Sequence, residues 1–160
     1  MSVEKVKHFL ARFGLEDRLK EFPVSSATVE LAAQALHTDP ARIAKSISFY
    51  DSADECLLIV TAGDMKIDNK KFKAEFGHKA KMLSAADVER LTGYRIGGVC
   101  PFGNPAGTKV YCDVSLQRFD KVYPAGGSSS SCVELTCEEL ARISGSRKWV
   151  DVCKSMEPLS

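Results

Sequence analysis

Five apolar residues without interruption, Cys56-Leu57-Leu58-Ile59-Val60, constrain the fold of this chain more than any other segment. The run is too short for a buried helix. It carries no polar residue to face water, so it reads as a central strand buried on both faces. The turn Asp51-Ser52-Ala53-Asp54 precedes it, and before that comes Ser46-Ile47-Ser48-Phe49-Tyr50, a second strand. A strand covered on both sides needs helices above and below.

The helices are legible from apolar spacing and caps. Val3, Val6, Leu10 and Phe13 recur at helical intervals and Gly14 ends the run. Ser26 or Thr28 can cap a helix that buries Val29, Ala32, Ala33 and Leu36. Asp39-Pro40 reads as an N-cap and first turn, which predicts a short helix over Ala41 to Ala44. Asp68 caps a helix burying Phe72 and Phe76, with Gly77 as its stop. Ser84 starts another in a variant capping box, stopped by Gly93, and Thr136-Cys137-Glu138-Glu139 is a full capping box opening a helix through Ile143. Short strands are predicted at Arg18 to Phe22, Ala80 to Leu83, Lys109 to Asp113, Lys121 to Tyr123 and Cys132 to Leu135, with a last apolar segment over Trp149 to Val152. About five helices interleave with six or seven strands. The expected fold class is therefore α/β (α+β), a mixed sheet covered by helices, in one domain over 1–160.

Charge and cysteine usage narrow the function. The net charge of +1 excludes a strongly basic protein that coats nucleic acid, while leaving room for a local patch. Lys66, Lys70, Lys71, Lys73, Lys79 and Lys81 form such a patch, suited either to nucleic-acid phosphates or simply to a solvated helix face. The six cysteines form no CxxC pair, and no histidine lies near Cys132 and Cys137, so neither a zinc site nor a disulfide framework is expected. No cofactor signal is visible. No apolar run approaches the roughly 18 residues of a membrane-crossing helix. Met1 to Lys5 carries no signal-peptide core. The chain reads as cytoplasmic.

Two segments carry the chemistry. Ala41-Arg42-Ile43-Ala44-Lys45-Ser46 places one lysine at the mouth of a strand. Gly97-Gly98-Val99-Cys100-Pro101 is a glycine-rich turn stiffened by proline, able to bring backbone N–H groups to a ligand. Cation and donor loop together suit a phosphate, a carboxylate or an ester carbonyl. A third loop, Ala125-Gly126-Gly127-Ser128, is built of small residues. Ser46 and Ser128 are candidate hydrogen-bonding groups. His8, His37 and His78 lie outside these loops, so no Ser-His-Asp or Cys-His arrangement can be assembled. A thiolate at Cys100, activated by Lys45, is a second possible nucleophile.

These features, in this order, resemble the YbaK/ProX (EbsC) family of aminoacyl-tRNA deacylases, which is related to the editing insertion of bacterial prolyl-tRNA synthetase. The resemblance rests on a Lys-Ser pair entering a strand (Lys45-Ser46), a Gly-x-x-x-Pro loop (Gly97 to Pro101), a small-Gly-Gly loop (Ala125 to Gly127), and a strand leading to a capped helix (Val133 to Leu140). It spans roughly Phe22 to Ile143. It implies a curved mixed-sheet barrel with helices outside. It also implies hydrolysis of the ester in mischarged aminoacyl-tRNA, commonly Cys or Ala on proline tRNA, with prolyl-tRNA synthetase as a partner. Lys45 takes the position of the family's essential lysine. Gly97, Gly98, Val99, Cys100 and Pro101 take that of its substrate loop, and Gly126, Gly127 and Ser128 flank it. The chain departs from many relatives at Cys100, where they have Ser, and in lacking a histidine in the second loop. It has Ser129-Ser130 where a basic pair occurs in YbaK. The alternative is a non-catalytic tRNA- or nucleotide-binding module on the same fold.

Overall fold

A computed structural model describes residues 2–23, 25 and 28–156. Its centre is β3 (Cys56–Ala62), every residue of which is buried. Antiparallel to it runs β2 (Ile43–Tyr50), in register from Ala44↔Ala62 to Tyr50↔Cys56. On the other side β5 (Lys109–Asp113) pairs parallel. Addition of β6 (Tyr123–Pro124) and β8 (Trp149–Val150) gives a five-stranded mixed sheet of order β6-β2-β3-β5-β8. Two antiparallel ribbons flank it: β1 (Leu19–Glu21) with β7 (Ser131–Val133), and β4 (Met65–Ile67) with β9 (Cys153–Ser155).

Alternation along β3 splits the core into two layers, because successive side chains leave opposite faces of a sheet. Cys56, Leu58, Val60 and Ala62 pack with Val6 and Leu10 of α1 (Ser2–Ala11) and with Leu140 of α5 (Cys137–Ser144). Leu57 and Ile59 face the other way, toward Phe72 of α3 (Asn69–Phe76). Each such large side chain contributes about 1.5–3 kcal/mol on burial. A smaller cluster joins α2 (Val29–Leu36) to Ile43 and Cys132.

The caps follow the sequence closely. Thr28 accepts from Leu31 N–H, and the other candidate cap, Ser26, lies outside the described residues. Asp68 accepts from the N–H groups of Lys70 and Lys71, and Thr136 with Glu139 closes a complete capping box that Arg18 braces from outside. Gly77, Gly93 and Gly145 end α3, α4 (Ala85–Thr92) and α5 with positive φ.

Four expectations are corrected. The helix over Ala41 to Ala44 is a single 3-10 turn, Pro40–Arg42, and the strand begins at Ile43. Ala80 to Leu83 forms one bridge, Met82 to Phe49, rather than a strand. Ser84 makes no cap bond; its N–H donates to the Tyr50 hydroxyl, whose own proton goes to Asp87 on α4. The ribbon strands β4 and β9 were not expected, since each is only 3 residues long and too short to show a period. No helix among the described residues is long and apolar enough to cross a membrane.

Candidate functional site

The early start of β2 decides where Lys45 sits. Asp39 accepts from Ala41 N–H at 2.9 Å and Pro40 fixes the first turn, so the chain is already extended at Ile43. Lys45 is thus the third residue of a strand and not the last of a helix. Its side chain leaves the face shared with Ile47 and Phe49, while Ala44, Ser46 and Ser48 leave the opposite face.

The edge of β2 away from β3 is interrupted. β6 pairs with it only at Ile43↔Tyr123 and Ala44↔Pro124. The chain then turns away to β7: Ala125 bridges Cys132, and Gly126 N–H donates to Ser131 O at 3.0 Å. Pairing resumes further along, where Leu83 N–H donates to Ser48 O at 3.2 Å and Tyr50 N–H to Lys81 O at 2.9 Å. A strand residue directs its N–H and C=O to one side, and the side alternates. Ser48 and Tyr50 point away from β3, so Ser46 does too. Its N–H and C=O therefore open into the gap. The Ser46 hydroxyl is buried and has no hydrogen-bond partner among the described residues. An orphan of this kind ordinarily costs about 1–3 kcal/mol.

The gap is the floor of a cavity of 410 Å³. Lys45, Ser46, Gly97 and Val99 line it, with Val29 and Ile96 among its apolar walls. Among the described residues, no carboxylate and no histidine lines it. Met82 and Ile96 stand exposed on its walls, at 65% and 70%.

The glycines do two jobs. Gly97 has φ of +94°, a backbone state that an L side chain resists. Gly98 is required by contact: a Cβ there would lie 2.6 Å from Gly127 O. The two glycine loops thus stack backbone on backbone. On the other side of that stack, a Cβ on Gly127 would lie 2.7 Å from Ser2 O of α1, and one on Gly126 would lie 2.6 Å from Leu19. Gly98, Gly127 and Ser128 do not reach the cavity; they line a neighbouring hollow with Lys5 and Arg95. Ser128 is engaged locally, its hydroxyl 2.8 Å from that of Ser131 and accepting from Ser130 N–H.

Cys100 and Pro101 are buried below the loop. Burial pushes the Cys100 thiol up to about 12, so it is a neutral thiol at physiological pH. The thiolate expected as a second possible nucleophile is therefore ruled out by its surroundings. The Cys100 carbonyl accepts from Asn104 at 2.9 Å, and the Tyr94 hydroxyl donates to the Phe102 carbonyl, which fixes the turn from beneath.

Lys45 is half-buried. Burial lowers its pKa below the ordinary lysine value, against smaller opposing pulls from Cys153, Asp64 and Glu30. It makes no ion pair among the described residues; its ammonium lies 3.4 Å from the Met156 sulfur. Asp64 is held instead by Arg118 at 2.6 and 3.0 Å.

The lysine group divides. Lys66 lines a hollow together with Lys45 and Met82, and that hollow shares Asn69 and Ala80 with one bordered by Lys70, Lys73 and Lys79. A track thus runs from the cavity past four lysines. Lys71 is committed to Asp151 and Cys153 O, and Lys81 lies over the Tyr50 ring. Sequence reasoning missed the β2 gap and Met156. The gap has no local signal, because it arises where β6 leaves for β7. Among the described residues no cluster of histidine, cysteine and carboxylate groups could hold a metal ion.

Comparison with known proteins gives a consistent result. Residues 24–143 match the aminoacyl-tRNA editing domain family. The chain is 50% identical over 157 residues to the uncharacterized protein YwhH of Bacillus subtilis, covering 98% of this chain and 100% of that one. It is 27% identical over 114 residues, 71% of this chain and 70% of the other, to EbsC of Enterococcus faecalis, described as a candidate Cys-tRNA(Pro)/Cys-tRNA(Cys) deacylase. A crystal structure of a candidate trans-editing enzyme for prolyl tRNA synthetase superposes with a TM-score of 0.87 at 28% identity, over 96% of this chain and 98% of that one.

Proposed function

The chain belongs to the aminoacyl-tRNA editing domain family, and from that premise we propose that it is a deacylase that hydrolyses mischarged aminoacyl-tRNA in trans. The observation that carries the reading is the meeting of Lys45, the open Ser46 edge and the Gly97 turn in one cavity that no carboxylate among the described residues lines. An α-amino ester offers complementary groups. Its ammonium can donate to Ser46 C=O, and its carbonyl oxygen can accept from Ser46 N–H or from the Gly97 loop. In its protonated form Lys45 stabilises the negative charge that develops on that oxygen.

No carboxylate or histidine among the described residues lines the cavity, so the attacking group is a water, which the ribose 2′-hydroxyl of the substrate can assist. For a cysteinyl ester the substrate's own thiol is a second route. In hydrolysis the water oxygen bonds to the carbonyl carbon, the ester bond to the ribose breaks, and the ribose oxygen leaves with a proton. The protein's part is to position the ester and supply charge, which is where most of such a rate enhancement arises. The apolar walls suit a small uncharged side chain. Cys and Ala on proline tRNA are the substrates we favour, with prolyl-tRNA synthetase as the partner that makes the errors in the cytoplasm. A synthetase pocket discriminates one methylene by only about 1–3 kcal/mol, so a second site is needed. The track of Lys66, Lys70, Lys73 and Lys79 is offered as the path of the tRNA phosphates. We treat residues 1–160 as one domain.

The test is ester loss from proline tRNA charged with Ala, Cys, Ser or Pro. Rapid loss of one mischarged species, with Pro-tRNA spared and Lys45→Ala inactive, is the expected result. Binding of tRNA without hydrolysis of any ester would favour the non-catalytic module instead.

A further inference from the structure

Lys45 is held by a residue from outside the segment that matches the family. That match ends at residue 143, and Met156 lies 13 positions beyond it. Backbone hydrogen bonds fix its place. The C-terminal arm pairs with β4 in the register Met65↔Ser155, Lys66↔Lys154 and Ile67↔Cys153. Val152 O accepts from Asp68 N–H at 2.8 Å, Cys153 O accepts from Lys71 at 3.0 Å, and Met156 N–H donates to Asp64 O at 3.0 Å. These bonds bring the Met156 sulfur to 3.4 Å from Lys45 Nζ while leaving the residue 51% exposed.

We propose that Met156 is a positioning residue, which fixes the Lys45 ammonium at the cavity without neutralising it. The proposal rests on the reading of Lys45 as the group that acts on the ester. Its chemistry follows from what a thioether is: an uncharged, polarizable, weak acceptor. It can engage one ammonium proton and leave the others, with the full charge, for a ligand. A carboxylate at the same point would neutralise the charge. An aliphatic side chain would leave the flexible four-carbon stem of Lys45 free to swing into water. Asp64, a carboxylate whose charge Lys45 feels, is kept occupied by Arg118 at 2.6 and 3.0 Å. The described part of the arm therefore supplies an uncharged holder for the cation.

Two readouts test this on the full chain. The first is the ¹³Cε–¹H spectrum of the lysines, with the Lys45 signal assigned by Lys45→Arg. A resolved, motionally restricted Lys45 signal in the parent should collapse toward the positions of exposed lysines in Met156→Leu and persist in Met156→Gln, which restores a neutral acceptor. An unchanged Lys45 signal in Met156→Leu overturns the proposal. The second readout is single-turnover deacylation. Met156→Leu should slow it about 10-fold or more, since misplacement of a catalytic group by about 1 Å can cost 10²-fold, while tRNA affinity holds. Met156→Gln should stay near the parent. Met156→Glu should also be slow, with its alkaline limb moved to higher pH, because a new carboxylate joins Asp64, Cys153 and Glu30 around Lys45. If Lys45→Ala proves fully active, the ester reading of Lys45 fails, and the spectrum still decides whether Met156 holds it.

Discussion

β3 and β2 lie side by side in register, yet they are built to opposite standards. Every side chain of β3 is buried, and both its edges are paired, to β2 and to β5. β2 shares one of those ladders but has a broken outer edge and, among the described residues, a buried hydroxyl without a partner and a half-buried cation without an ion-pair carboxylate. The first strand spends its residues on stability. The second tolerates unmet polar groups, and such groups persist in a fold where a ligand meets them. The comparison says that damage to β3 should be read in folding and damage to β2 in chemistry.

The strongest way to break that division is through β3. Leu58 is fully buried between the sheet and α1, so Leu58→Ala should cost about 2–5 kcal/mol, read as a lowered urea midpoint. The fraction still folded should deacylate at the parent rate. A mutant that folds normally but loses activity would place part of the chemistry in β3.

Lys45→Ala is the converse. Deacylation should fall about 10²–10³-fold, the effect of removing one group that stabilises an oxyanion. Stability should not fall. Burial holds the Lys45 pKa below the ordinary 10.5, so between the folded value and the unfolded one the unfolded chain binds more protons, and the parent's stability rises with pH across that window. Lys45→Met should abolish this slope and raise the melting temperature at neutral pH. The same lowering sets the activity profile: the active ammonium is lost as pH rises through a value below 10.5, and the rate should drop there.

Gly98→Ala tests the stacked loops. With backbone atoms of Gly127 only 2.6 Å from the added carbon, one loop must move. Overpacking of this kind costs about 1–3 kcal/mol. Because Gly97 and Val99 line the cavity, activity should decline along with the melting temperature. Gly77→Ala, with open space around its Cβ, is the control: its strain from a φ of +81° falls on stability alone.

Much of this was legible in the chain. The apolar run at 56–60, the Asp68 and Thr136 caps and the strand over Lys109–Asp113 are local signals, and local physics settles them. Lys45 and the Gly97 turn were legible as residue types. Their joint cavity was not, since it depends on how β2, α4 and the loops pack. The division of the glycine loop into lining residues, Gly97 and Val99, and buried ones, Cys100 and Pro101, was equally hidden. So was the arm carrying Met156, because three residues that are partly polar give no periodicity to read. The helix expected at 41–44 failed because Asp39-Pro40 starts a 3-10 turn as readily as an α-helix, and the ladder to β3 captures the chain at Ala44.

The smallest effect is the most diagnostic, because stability and activity should move in opposite directions. Ser46→Ala removes a buried hydroxyl with no partner and leaves the backbone edge intact. If that hydroxyl only filled space, its loss would relieve an unmet polar group and change nothing else. If it waits for a substrate atom, its loss should remove one hydrogen bond from the bound ester, worth about 0.5–1.5 kcal/mol, or a few-fold to roughly tenfold in rate. The expected outcome is a melting temperature at or slightly above the parent's together with slower deacylation. Ser46→Thr keeps the hydroxyl and should keep the rate. A Ser46→Ala variant as fast as the parent would leave only the backbone groups of the β2 gap in contact with the ester. The contrast between the two strands would then rest on Lys45 and the open edge alone.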